Sequence, residues 1–289
     1  MSASTSISQT PAENTEKSAA GGIEFQDWST LDDSEVPYNW TNKRKWLVTI
    51  VFCLNNFMVS VGASIFTPAI GLIAHTFDVT IVVATLGLSF YVLGFSMGPL
   101  VFAPMSEVYG RKIVNIPTWA LFVIFQIGCA LAKNIQTLVI CRFLVGTFGS
   151  PALTVAAGTM TDIWKPNELG PPMGLFTMAA FSGPVVGPIA GGFIADYLHS
   201  SESWRWSFWI PFIISGVLGL NWLWLPETYQ ITLLEAKAKK AGHQALHAEG
   251  GKSKAAIFRV AVGRPLHMLV FEPTVLLVSL YISFLFGIL

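Results

Sequence analysis

Five stretches of this chain, 47–74, 79–106, 113–132, 169–195 and 206–226, contain no Asp, Glu, Lys or Arg, and a sixth, 134–161, contains only Arg142. Each is long enough for a helix to cross a hydrocarbon core, which takes about 20 residues. In water, six such helices would need a polar exterior. Only 12% of the 289 residues are charged, against about a quarter in a soluble domain. The chain is therefore expected to be an all-α protein that spans a membrane many times, with the lipid bilayer as its main partner.

Charge and cysteine usage narrow the function. The 17 basic residues balance the 17 acidic ones, so no net field draws an anionic polymer and nucleic acid is excluded as a partner. Cys53, Cys129 and Cys141 all fall inside apolar runs, where cysteine behaves as a small core residue and implies no disulfide framework. No cluster of His, Cys or acids occurs within the spans, which argues against an enzyme, a metal site or a cofactor. His243 and His247 are four apart in a polar segment, but they lack a third ligand and read as solvated.

Six spans are expected at about 47–74, 80–104, 113–132, 135–160, 172–195 and 206–225, with connections short enough to make neighbours antiparallel. Four units follow: a disordered tail over 1–45, a six-helix domain over 46–225, a polar central loop over 226–264 and an incomplete seventh helix over 265–289. The last apolar run, 274–289, would be about 24 Å long as a helix, short of a core of roughly 30 Å. The chain thus reads as the front part of something longer. Within the loop, 231–241 has the pattern of a short helix, closed by Gly242.

Basic residues set the expected orientation. With the N-terminus cytoplasmic, that side holds Lys17, Lys43, Arg44, Lys45, Arg111, Lys112, Lys165 and the seven Lys and Arg of 226–264; the other side holds only Lys133 and Arg205. Asn39-Trp40-Thr41 matches the glycosylation pattern but then lies on the side where that modification does not occur.

The fifth span carries the most information. Gly183-Pro184-Val185-Val186-Gly187-Pro188-Ile189-Ala190-Gly191-Gly192 places six Gly or Pro in ten residues. That content would abolish a helix in water and is tolerated in a bilayer, where neighbouring helices meet the freed backbone groups. Gly183, Gly187 and Gly191 share one face, where a second helix backbone can approach.

This run resembles the antiporter motif of the major facilitator superfamily: Gly183, then Gly187-Pro188, then Gly191-Gly192. Between spans two and three, Ser106-Glu107-Val108-Tyr109-Gly110-Arg111-Lys112 is similar to the superfamily's cytoplasmic loop motif, with Ala103 and Val108 departing from its leading Gly and first Arg. Gly98-Pro99-Leu100, Gly149-Ser150-Pro151, Trp204-Arg205-Trp206-Ser207-Phe208-Trp209 and Pro226-Glu227-Thr228-Tyr229 look like the fungal drug:proton antiporters of that superfamily. The tryptophans of 204–209 also suit an aromatic belt at the outer interface. In span four, 138–146 resembles the family's membrane-embedded arginine motif, with Val145 in place of its usual Gln.

Arg142 is the one charge inside the spans, at a cost of about 2.5–3.5 kcal/mol or more. Such a residue faces the bundle interior or a cavity, unless it snorkels to the surface. With no acid in the spans, it is expected to donate to Asn55 or Asn56, or to carbonyls of span one. The resemblance implies a major facilitator fold built as a 3+3 inverted repeat. It also implies proton-coupled export of drugs, toxins or secreted metabolites by alternating access, from a plasma membrane or a vacuolar one.

Arg142, Asn55, Asn56, Phe57 and Phe181 are the candidates for the substrate and proton pathway. Glu107, Gly110, Arg111, Lys112, Gly183, Gly187, Pro188, Gly191 and Gly192 are the candidates for conformational motifs, with the Glu107 carboxylate held by a helix terminus or an Arg. Titratable groups for coupling within this chain are limited to Glu107, Asp162, Asp196 and His. Two rival readings are a truncated, non-transporting fragment and a half-transporter completed by a second half or partner chain.

Overall fold

A computed structural model describes residues 36–197, 202–229, 232–233, 263 and 271–288. No strand occurs among them. Among the described residues ten α-helices are given bounds: α1 Asn42–Ser64, α2 Ile70–Thr76, α3 Ile81–Tyr109, α4 Arg111–Ala130, α5 Ile135–Gly149, α6 Pro151–Ile163, α7 Gly170–Tyr197, α8 Trp206–Gly219, α9 Asn221–Trp224 and α10 Pro273–Ile288. Short 3-10 turns stand at Pro37–Asn39, Thr67–Ala69 and Ser203–Arg205.

Of the six expected spans, three fall on single helices and three on interrupted ones. The first is α1 plus α2, broken around Pro68; the fourth is α5 plus α6, broken at Ser150 before Pro151; the sixth is α8 plus α9. A proline has no N–H to give the preceding turn, so both Pro-containing breaks fall where the chain lacks that donor. Five stretches among the described residues are long and apolar enough to cross a membrane, and they stand where the first five spans are expected, while α8 and α9 lie where the sixth is expected. The first helix begins at Asn42, earlier than its apolar run, because Lys43, Arg44 and Lys45 are helix-compatible: Lys43 and Arg44 are exposed, while Lys45 is buried with its ammonium over the Trp164 ring. Two starts are capped: Thr80 accepts from the Val83 amide at 3.4 Å, and Asn134 Oδ1 from the Thr137 amide at 2.8 Å. The tail expected at 1–45 lies outside the described residues up to residue 35, as do nearly all of the central loop and its short helix.

Glycine sets the packing. Gly183, Gly187 and Gly191 of α7 lie on the α1 backbone around Ser60, Ser64 and Ile65, and Ser64 Oγ donates to the Gly183 carbonyl at 3.0 Å. Across the bundle, Gly94 and Gly98 of α3 lie on Phe143, Thr147 and Ser150, while Gly146 meets the Tyr91 carbonyl. The first seam joins spans one and five and the second joins spans four and two. Each carries the pattern Gly, three residues, Gly-Pro: Gly183 with Gly187-Pro188, and Gly94 with Gly98-Pro99. Under this relation spans one and two exchange with spans four and five, as expected of a 3+3 inverted repeat.

The interior is aromatic and aliphatic, with Trp119, Phe122, Phe52 and Trp222 in mutual contact between α4, α1 and α9. Trp204, expected in an interfacial belt, is instead fully buried against Phe77 and Phe208, because the 3-10 turn Ser203–Arg205 folds it inward. α3 and α7 are the least enclosed long helices. Their outer faces display Val82, Phe90 and Met97, and Met178, Phe181 and Phe193.

Candidate functional site

Arg142 is 2% exposed and enclosed by other spans of the same bundle. Its Nη1 donates to the Gly62 carbonyl at 2.8 Å, its Nη2 to the Ala63 carbonyl at 3.3 Å and its Nε to the Gly87 carbonyl at 3.3 Å. The ring faces of Phe66, Tyr91 and Phe208 stand 4.5, 4.7 and 5.5 Å from its Cζ. Carbonyl dipoles and π-faces replace the missing carboxylate, each desolvated cation–π contact being worth up to about 2 kcal/mol. Of the two expected kinds of partner, span-one carbonyls hold the guanidinium and the Asn amides do not. Asn55 lies seven residues before Gly62 on α1, about 10 Å lower along the axis.

The local chain explains this cage. Gly62 and Ala63 end α1 next to its break, where carbonyls lose their helical donors. Phe66 sits in that break and reaches over Gly87, where an added Cβ would come within 2.7 Å of its ring. Tyr91 Oη donates to the Val59 carbonyl at 2.8 Å, which fixes its ring beside the guanidinium.

Asn55 and Asn56 are both fully buried. Asn56 Nδ2 donates to the Phe176 carbonyl of α7 at 3.4 Å, while Asn56 Oδ1 and both amide atoms of Asn55 have no partner among the described residues. Phe57 is half-buried and Phe181 is 61% exposed, on the side of α7 away from its glycine seam. The structure therefore gathers Arg142 inside the bundle, the two amides lower on α1, and Phe181 on an outer face. They do not converge on one pocket within this chain.

On the basic side, a second cluster forms around the loop motif. Gly110 has φ +98°, in the region that favours glycine, and an added Cβ would meet Glu227 Oε2 at 2.9 Å. Arg111 Nε pairs with Asp162 at 3.2 Å, Nη1 donates to Ser106 Oγ at 2.8 Å, and the guanidinium lies over the Tyr229 ring at 5.1 Å. Glu227 accepts from the backbone amides of Arg111 and Lys112 at 3.0 Å each, capping α4 at its positive end. It also accepts from the amides of Thr228 and Tyr229 at 3.0 Å.

Glu107, expected to be the held acid, is exposed and enters neither ion pair found among the described residues. Asp162 and Glu227 take that place. Their signal was a carboxylate just beyond the end of an apolar span on the same side as Arg111. Gly187 and Gly191 sit in the α1–α7 seam, Pro188 lies inside α7, and among the described residues nothing stands within 4 Å of a Cβ added at Gly192.

Comparison with known proteins places the chain in a family. Residues 52–289 match the Major Facilitator Superfamily. The chain belongs to that family. It is 40% identical over 271 residues to the ascochitine biosynthesis cluster MFS transporter of Didymella fabae, covering 91% of this chain and 52% of that protein. It is 36% identical over 269 residues to the efflux pump radE of Floropilus chiversii, covering 90% of this chain and 49% of that protein. Among solved structures, the MFS proton:xylose symporter XylE bound to 6-bromo-6-deoxy-D-glucose superposes with a TM-score of 0.62 at 14% identity, over 83% of this chain and 57% of that one. The chain spans about half the length of the curated relatives it matches. With five helices among the described residues long and apolar enough to cross a membrane, it is a multi-pass membrane protein of that family.

Proposed function

We propose that this chain forms the first six-span half of a proton-coupled exporter of amphipathic small molecules, such as drugs, toxins or secreted metabolites. The observation that carries the reading is the α1–α7 seam. Gly183, Gly187 and Gly191 lie close against α1 around Ser60, Ser64 and Ile65, which supports the two helices moving as one unit. That seam is the run that resembles the antiporter motif. A relative that is an efflux pump and another encoded in a biosynthesis cluster support export over uptake.

In this reading the half rocks as a body during alternating access. Arg142 ties α1, α3 and α5 together at one end, and the Arg111–Asp162–Glu227 cluster ties α4, α6 and the segment after α9 at the other. Phe57 and Phe181 are the proposed aromatic contacts to substrate, with Asn55 and Asn56 offering unmet amide groups near the midplane. The exposed apolar faces of α3 and α7 support a second half, or a partner chain, as their cover. A plasma membrane is the proposed location and a vacuolar membrane the alternative.

Disruption of the native gene tests this. Intracellular retention of a secreted metabolite, or raised sensitivity to an amphipathic toxin, is the expected result. Unchanged content and sensitivity across a broad metabolite profile would overturn export.

A further inference from the structure

A small cavity opens beside Arg142 between α4, α5 and α8, and its polar walls are incompletely paired. Gln126 of α4 and Ser207 of α8 line it, at 4% and 1% exposure, and neither Gln126 Oε1 nor Ser207 Oγ has a hydrogen-bond partner among the described residues. Arg142 spends three of its five N–H groups on the Gly62, Ala63 and Gly87 carbonyls, which leaves two. Cys129 and Phe208 close the walls. The space open to the centre of a water is about 10 Å³, close to the volume that one water needs.

Three buried polar residues lining one water-sized space is the setting in which an internal water is held, since such waters make about three hydrogen bonds. Left unmet, each of these groups would cost about 1–3 kcal/mol. We propose that Arg142, Gln126 and Ser207 bind one ordered water, which accepts from a guanidinium N–H and donates to Gln126 Oε1 and Ser207 Oγ. The direct contacts of Arg142 reach α1 and α3. The water adds α4 and α8, so that spans one, two, three, four and six meet at a single cation. Gln126 and Ser207 are positioning residues for the guanidinium. This inference stands on geometry alone and holds whatever the transporter carries.

Millisecond hydroxyl-radical footprinting by X-ray radiolysis, on the full native chain in lipid nanodiscs with residue-level mass spectrometry, tests it. A bound water is radiolysed in place and oxidises side chains beside it that bulk solvent does not reach. Cys129 and Phe208, 0% and 3% exposed, are paired with Cys53 and Phe52, 5% and 2% exposed and away from the cavity. The expected result is oxidation of Cys129 and Phe208 several-fold faster than of Cys53 and Phe52. Ser207→Ala and Gln126→Leu should bring the rates down to those controls, while Ser207→Thr, which keeps the hydroxyl, should not. Equal rates in the wild type would overturn the proposal. So would fast oxidation that persists in both Ser207→Ala and Gln126→Leu, since that reports breathing. A variant that unfolds exposes Cys53 and Phe52 too, and the wild-type comparison then decides.

Discussion

Adding one methyl group to the α1–α7 seam should loosen the six-helix unit, and the position of that methyl should matter more than its chemistry. At Gly183 an added Cβ would stand 2.7 Å from the Ser60 carbonyl carbon and 2.8 Å from the Val61 nitrogen, besides meeting Ser60 Cβ. Those atoms are backbone and cannot swing away. Ordinary contact begins near 3.4 Å, so the helices must part by roughly an ångström, enough to forfeit a large share of the dispersion energy along the seam. Overpacking of this kind costs about 1–3 kcal/mol. At roughly 2–4 °C per kcal/mol, the midpoint should fall by about 2–12 °C. Gly192 supplies the control inside the same motif, because nothing lies within 4 Å of a Cβ there. Thermal unfolding of Gly183→Ala and Gly192→Ala in detergent, followed by monodisperse fraction on size exclusion, separates them. Equal losses at both positions, or none at Gly183, would refute the seam as the determinant of packing.

Three further outcomes follow from the same geometry. Arg142→Lys should destabilise the fold by about 1.5–3 kcal/mol for each charged hydrogen bond lost, since one ammonium cannot serve three carbonyls on two helices; full retention of the midpoint would contradict the cage. Glu227→Gln should cost about 0.5–2 kcal/mol, because an amide presents N–H to the N–H groups that Glu227 now accepts. Protection of the Arg111 and Lys112 amides in hydrogen exchange should fall with it. Asn55→Leu should leave stability unchanged or raised, as both amide atoms lack partners, yet should reduce export if that amide meets substrate. Wild-type transport in this variant would remove Asn55 from the pathway.

The expected spans were legible because charge is excluded from hydrocarbon far more strictly than any helix propensity operates, so the absence of Asp, Glu, Lys and Arg marked five of them and a single Arg142 did not hide the other. The helix ends were not, since Lys43 to Lys45 extend α1 past its apolar run. The glycine face of α7 was readable from spacing alone, but its partner was not: that Gly94 and Gly98 build the matching seam emerges only when α3 meets α5. Arg142 stood out as a lone charge. What holds it could not be narrowed beyond amide or carbonyl, because the choice depends on the break after Ser64 that frees backbone acceptors. Glu107 was favoured over Asp162 and Glu227 because it sits within the motif, whereas an ion pair is settled by the direction each helix end points. Gln126 and Ser207 gave no periodic signal; Gln126 was merely the one Gln in its span.

The most direct test reconstitutes the full product of the native gene in proteoliposomes with an imposed pH gradient and a trapped pH dye. The compound retained by the disrupted strain is then added. A transporter coupled to protons should dissipate the gradient on addition of that compound, with uptake that stops under a protonophore and is lost in Arg142→Leu. Uptake at the same rate with and without the gradient, or no proton movement on addition of the compound, would contradict proton-coupled export.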